Sequence, residues 1–205
     1  MTRPKSHWTT VYEKKSDQDV SWFQPVAQPS LDLILGHRGQ AAIGVVDLGA
    51  GASRLVDGLL DAGLRDITLL DIAKTAFDPV RKRLGQRGNL PKYVTANAAN
   101  WQPGRQFGIW HDRAAFHFLT AKADQDHYLT TLRKSLVADG IAIIATFAPD
   151  GPEFCSGLPV QRYASAEIAD RLGPSFTLVN ALAVSHKTPS GTAQSFQFSV
   201  LKKTD

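Results

Sequence analysis

Two hydrophobic rhythms alternate along most of the chain. Ile43 to Leu48 is short, apolar and β-branched, the pattern of a strand buried on both faces. Gly49, Ala50 and Gly51 then make a turn. Ser53 to Ala62 carries Leu55, Val56, Leu59 and Leu60 at helical spacing and ends at Gly63. Ile67 to Leu70 repeats the strand pattern and is closed by Asp71. Thr75 to Leu84 is a helix with a basic outer face, and Lys92 to Thr95 and a short Phe107 to Trp110 are further strands. Gln125 to Leu136 is an amphipathic helix ended near Gly140, followed by a strand over Ile141 to Phe147 and a helix over Ala164 to Leu172. The tail changes character. Thr177 to His186 and Ala193 to Lys202 flank Thr188-Pro-Ser-Gly191, a hairpin signal. Strands alternating with helices predict an α/β fold, a mostly parallel sheet with helices on both faces, to which the hairpin adds an antiparallel edge strand.

Ahead of this pattern, Thr2 to Gln28 is polar and aromatic, with Trp8, Tyr12, Trp22 and Phe23, and reads as short helices. Pro25 and Pro29 bracket a break, and Ser30 is expected to cap a helix over Leu31 to Leu35. No repeat or low-complexity tract is present. The expectation is one domain over residues 1–205, with residues 1–28 as an aromatic extension able to act as a lid.

Composition narrows the classes. A chain of 205 residues, 43% hydrophobic and 20% charged, suits a single core. Cys155 is the only cysteine, so no internal disulfide can form. The net charge of +4 raises nucleic acid as a partner, but the basic residues are scattered and their runs (Arg81 to Arg83, Lys202-Lys203) are short, so none is expected. No window approaches the roughly 18 apolar residues of a membrane span. Met1 to Ser6 lacks the apolar stretch of a signal peptide. A cytoplasmic location is expected.

Val45-Val46-Asp47-Leu48-Gly49-Ala50-Gly51 carries the sharpest chemistry. Glycines between a strand and a helix let backbone approach a ligand, and the helix start, near Ser53, offers free N–H groups. Asp47 beside the turn repels a pyrophosphate and suits a cation such as an amino group. Asp71, ending the next strand, can accept hydrogen bonds from both hydroxyls of a ribose. Ile72 can pack on an adenine. Arg54 stands where a dinucleotide fingerprint has its third glycine, which counts against NAD.

At these residues, over about Ile43 to Lys202, the chain resembles the class I S-adenosylmethionine-dependent methyltransferases. The resemblance implies a Rossmann-like seven-stranded sheet whose last strand is inserted antiparallel. It implies that Asp47, Gly49 and Gly51 line the methionine side of S-adenosylmethionine, that Asp71 holds the ribose, and that Asn97 and Ala98 sit at the adenine edge. Trp8 through Tyr12 to Pro25, and Trp110-His-Asp-Arg-Ala-Ala-Phe-His-Phe-Leu119, resemble a bacterial subgroup of that superfamily and, more distantly, protein-lysine methyltransferases with an aromatic N-terminal motif.

The methyl acceptor is expected beyond the fourth strand, at Trp110-His111-Asp112-Arg113. His111 is a base, a bond to the cofactor or a strand-end cap. Asp112 and Arg113 form an ion pair that shapes the site or only the fold. His117 faces the acceptor or packs with Phe116 and Phe118. His186 reaches over the sheet edge or lies on the surface. Tyr12 and Trp22 cover the site, where a Trp face attracts a sulfonium, or pack the extension down. Arg162 and Tyr163, after the fifth strand, can bind an anionic group. Lone Asp112 has no partner carboxylate, so no metal is expected. The leading reading is methyl transfer to a small molecule. Protein-lysine methylation is the alternative, followed by an NAD-dependent oxidoreductase or a non-catalytic cofactor-binding module.

Overall fold

The computed structural model describes residues 3–204, with side chains from residue 5 onward. Met1, Thr2 and Asp205, the outer ends of the expected extension and domain, lie outside the described residues. Helix α1 (Arg3–Lys14) opens the chain and is followed by two short helices, α2 (Ser30–Gly36) and α3 (Arg38–Ile43). The core then runs β1 (Val45–Leu48), α4 (Leu55–Asp61), β2 (Ile67–Asp71), α5 (Phe77–Leu84), β3 (Lys92–Thr95), β4 (Phe107–Arg113), α6 (Lys122–Ser135) and β5 (Leu136–Phe147). A two-residue ladder, β6 (Phe154–Cys155) and β7 (Leu158–Pro159), precedes α7 (Ser165–Leu172), β8 (Phe176–Lys187) and β9 (Ala193–Lys203).

Among the described residues the main sheet has seven strands in the order β3-β2-β1-β4-β5-β9-β8. The first five are mutually parallel, and β9 enters antiparallel to both β5 and β8. The order reverses at β1, so the tips of β1 and β4 border the crevice where a ligand can sit. Side-chain alternation splits the core in two. Val45, Leu69, Ile109, Ile143 and Phe198 pack under α2, α4 and α5 on one face. Val46, Leu70, Trp110, Ile144 and Leu201 pack under α6 and α7 on the other.

Several boundaries differ from the sequence pattern. The fourth strand does not stop at Trp110 but continues through His111, Asp112 and Arg113. Each of these polar residues has a partner inside the fold, so the sheet need not end to reach water. Gly140 does not end a helix: α6 stops at Ser135 and β5 begins at once, with Asp139 at φ 59°. Thr75 belongs to a 3-10 turn, Lys74–Ala76, ahead of α5. Ser30 is the first residue of α2 and not its cap. Its hydroxyl is bonded to His111 instead.

Among the described residues no helix is long and apolar enough to cross a membrane. The extension is fastened at several points. Asp17 lies 3.6 Å from Arg83 and 3.9 Å from Arg54. Arg54, the residue in place of the third glycine, also stacks over Phe23 at 5.3 Å. His186 is buried, contrary to the surface position expected, and its Nε2–H donates to the Ser21 carbonyl at 2.7 Å.

Candidate cofactor and acceptor site

A cavity of about 190 Å³ opens above the carboxyl ends of β1, β2, β3 and β4. Gly49, Asp71, Ile72, Asn97, Ala98 and Arg113 form its floor and sides, and Trp8, Tyr12 and Trp22 from the extension form its roof.

The glycine turn is shaped for close approach. Gly49 and Gly51 take φ 62° and 54°, the left-handed region that side chains disfavour. A Cβ at Gly49 would lie 2.6 Å from the Ala115 Cβ, and one at Gly51 would lie 2.5 Å from the Tyr12 hydroxyl. Gly51 therefore does not line the cavity. Its N–H donates to Asp71 Oδ2 at 2.9 Å, while Asp71 Oδ1 accepts from the Ala73 N–H at 2.8 Å. Burial pushes the Asp71 carboxyl up to about 6, against the pull of backbone N–H donors from Ala73, Gly51 and Ile72. Tyr12 lies against the same carboxylate, and burial first, then the charge of Asp71, hold its phenol protonated well above its ordinary range.

Asn97 sits at the edge of the cavity, where its Oδ1 also accepts the Ala99 N–H at 3.0 Å. Ser53 is not at the cavity wall. Its Oγ accepts the Leu55 N–H at 3.1 Å and steadies the start of α4.

The three residues at the end of β4 separate by alternation. His111 and Arg113 project to one face and Asp112 to the other, so the Asp112–Arg113 ion pair anticipated from sequence does not form. Asp112 is fully buried. It accepts the Ala115 and Phe116 N–H groups at 2.9 and 3.0 Å and the Tyr128 hydroxyl at 2.7 Å. Trp110 Nε1–H donates in turn to Tyr128 at 2.8 Å. Asp112 is thus a brace for the loop after β4 and does not line the cavity. Burial nevertheless pushes its carboxyl up to about 6.

His111 and Asp47 also lie below the cavity. His111 Nδ1–H donates to Asp47 Oδ1 at 2.7 Å, and Ser30 Oγ meets Nε2 at 2.9 Å. Asp47 bonds this neighbour and does not line the cavity, because the strand register sets the two residues side by side. His117 is buried among Phe118 and Phe147, and its Nδ1 accepts the Phe147 N–H at 3.4 Å. Burial and the charge of Arg113 push its imidazole down to about 3, which makes it a poor base. Neither histidine lines the cavity.

The roof is aromatic. Trp8 packs edge-to-face on Trp22 at 5.6 Å and on Phe118 at 5.1 Å, and Tyr12 faces Trp22 at 6.4 Å. Arg113 ties this roof down by donating to the Trp22 carbonyl at 3.1 Å. Arg162 pairs with Glu153 at 2.9 Å and so closes its own loop, while Tyr163 is buried. The sequence pattern did not single out Asp124, Gln194 or Phe196, yet all three line the cavity. Asp124 resembles any acid in the first turn of a helix, and the other two are ordinary positions of an alternating hairpin. Among the described residues no three His, Cys, Asp or Glu side chains converge as metal ligands would.

Comparison with solved structures places this architecture. A SAM-dependent methyltransferase from Anabaena variabilis superposes with TM-score 0.76 at 13% identity, over 99% of this chain and 96% of that one. The Burkholderia thailandensis 1,6-didemethyltoxoflavin-N1-methyltransferase, solved with its acceptor and S-adenosylhomocysteine, gives TM-score 0.73 at 20% identity, over 98% and 88%. The CcbJ methyltransferase from Streptomyces caelestis gives 0.68 at 16% identity, over 96% of each chain. No family model and no curated protein matches the chain. The fold is that of the class I S-adenosylmethionine-dependent methyltransferases.

Proposed function

We propose that this protein is an S-adenosylmethionine-dependent methyltransferase acting on a small-molecule acceptor in the cytoplasm. The observation that carries the reading is Asp71, a buried carboxylate at the cavity wall held by the N–H of the glycine turn. A carboxylate fixed there is ready to accept from a ribose diol, and Gly49, at φ 62°, carries the backbone along the same wall where a Cβ would strike Ala115.

The residues fit such a cofactor end to end. Asn97 and Ala98 would border the adenine, with Ile72 against its face, Asp71 would hold the ribose, and the Gly49 turn would take the amino-acid part. When bound, the cofactor supplies a methyl group on a sulfonium, an electrophile that needs only a nucleophile in line with it. This chain contributes binding, alignment and exclusion of water. Tyr12, Trp22 and Trp8 cover the cavity, and their π faces favour a nearby cation. His111 and His117 are both withdrawn into the core and no imidazole lines the cavity among the described residues, so in this reading positioning carries the rate.

A covered cavity supports a small acceptor over a side chain on a protein surface. The Burkholderia thailandensis neighbour acts on a small molecule, and the neighbour MtfA is a glycopeptide N-methyltransferase. Calorimetric titration with S-adenosylhomocysteine tests the cofactor, and absence of heat at high ligand concentration would overturn it. Incubation of a cell lysate with methyl-labelled cofactor then separates the acceptors: label is expected in small molecules, and label in protein would move the reading to lysine methylation.

A further inference from the structure

Arg113 closes β4 with its guanidinium at the cavity wall, and its surroundings are unlike those of the other arginines near the site. Arg54 and Arg83 meet Asp17, and Arg83 meets Asp57. Arg113 has no acid within ion-pair distance among the described residues. It has only the Trp22 carbonyl at 3.1 Å and the Phe196 ring at 4.8 Å. The nearby carboxylate of Asp47 is committed to His111. The Cys155 thiol close by offers no counter-charge, because burial pushes it up to about 11. Burial pulls Arg113 itself down to about 10 against the attraction of Asp47, so the cation persists at neutral pH with no acid paired to it. A half-buried cation with no paired acid is costly unless something completes it.

We propose that Arg113, together with Gln194 on the same cavity wall, is a receptor for a ligand carboxylate under the aromatic roof. The guanidinium fork matches the two oxygens of a carboxylate. Gln194 is nearly buried, and its side chain makes no hydrogen bond among the described residues. Its amide is free to donate to the same group. The charge count favours a monoanion over a phosphate: one cation faces the cavity, which Asp71 and Asp124 also line. The carboxylate has two sources, the amino-acid end of the cofactor or the methyl acceptor. This inference rests on the function proposed above.

The test uses wild type, Arg113→Met and Arg113→Lys, with melting curves to confirm folding; the Lys variant keeps the charge if the Met variant fails to fold. Each protein is titrated with S-adenosylhomocysteine, its decarboxylated analogue and 5′-methylthioadenosine. Each is then loaded with S-adenosylhomocysteine and titrated with benzoate and benzamide. A wild-type preference of about tenfold or more for the carboxylate-bearing nucleoside, lost in Arg113→Met, assigns the subsite to the cofactor. An unchanged preference, with benzoate but not benzamide binding wild type and not the variant, assigns it to the acceptor. Equal behaviour of all three proteins in both arms overturns the proposal. Failure of every nucleoside to bind wild type overturns the cofactor reading instead, and benzoate on the free protein then reports on Arg113 alone.

Discussion

Asp47 and His111 are cross-strand partners on β1 and β4, and their side chains meet at 2.7 Å in the core, 3% and 2% exposed. Ser30, fully buried, closes the array from the other ring nitrogen. A serine, a histidine and an aspartate in a row can make a nucleophile, but here no member lines the cavity. Their chemistry is spent on fastening α2 to the sheet beneath the glycine turn.

Removing one member should therefore cost stability and leave ligand recognition intact. Asp47→Ala leaves the buried imidazole N–H without its acceptor, which costs about 1–3 kcal/mol. The expected result is a markedly lower melting temperature, with S-adenosylhomocysteine affinity of the folded protein unchanged. A variant of normal stability that has lost affinity would return Asp47 to the ligand.

Gly51→Ala probes the turn. The alanine meets a φ of 54° and the Tyr12 hydroxyl at 2.5 Å. The backbone term alone is worth about 1–2 kcal/mol. Cofactor affinity should fall, because the turn cannot shift without breaking the Gly51 N–H bond to Asp71. Tyr12→Phe added to Gly51→Ala should recover part of the loss by removing the colliding atom. No recovery in calorimetry would show that backbone strain is the whole effect.

The parallel strands, the glycine turn, Asp71 and the tail hairpin were legible because each rests on local pattern. Short apolar runs, left-handed glycines and a turn between alternating segments all show in neighbouring residues. The end of β4 was not legible. His111, Asp112 and Arg113 look alike as polar residues after an apolar run, and only the pleat sends Asp112 to Tyr128 and His111 to Asp47. Those partners come from elements 16 and 64 residues away in sequence. Gln194 and Phe196 were missed for a related reason, since β9 reaches the site only after the whole sheet has formed.

The roof yields a kinetic prediction. Trp8→Ala removes ring contacts to Trp22 and Phe118, each worth about 0.5–1.5 kcal/mol beyond burial. Trp8 lies outside the two core clusters, so the loss of thermal stability should be modest, on the order of the ring contacts themselves. Release of S-adenosylhomocysteine, followed by stopped-flow tryptophan fluorescence, should become faster. Limited proteolysis should cut within α1 more readily in the variant, and bound ligand should protect wild type. An unchanged release rate would reduce the extension to packing.

The pH dependence of cofactor affinity should report on Asp71. Burial raises its carboxyl from the ordinary 3.8 to about 6, and the charge of Asp47 adds to the rise. The folded protein thus holds this proton where the unfolded chain has released it. The associated stability is present at low pH and lost as pH rises from about 4 through 6. Ligand binding runs the other way, because ribose hydroxyls donate to the ionised carboxylate. Affinity for S-adenosylhomocysteine should rise as pH climbs through about 6, by up to about tenfold per unit below it, and level off above. Asp71→Asn should bind more weakly at neutral pH and show no such rise. Asp112 is the internal control, since it also stands at about 6 but braces a loop away from the cavity. Asp112→Asn should alter the stability profile and keep the slope of affinity against pH. If wild-type affinity proves flat between about pH 5 and 7.5, the ribose does not rest on Asp71.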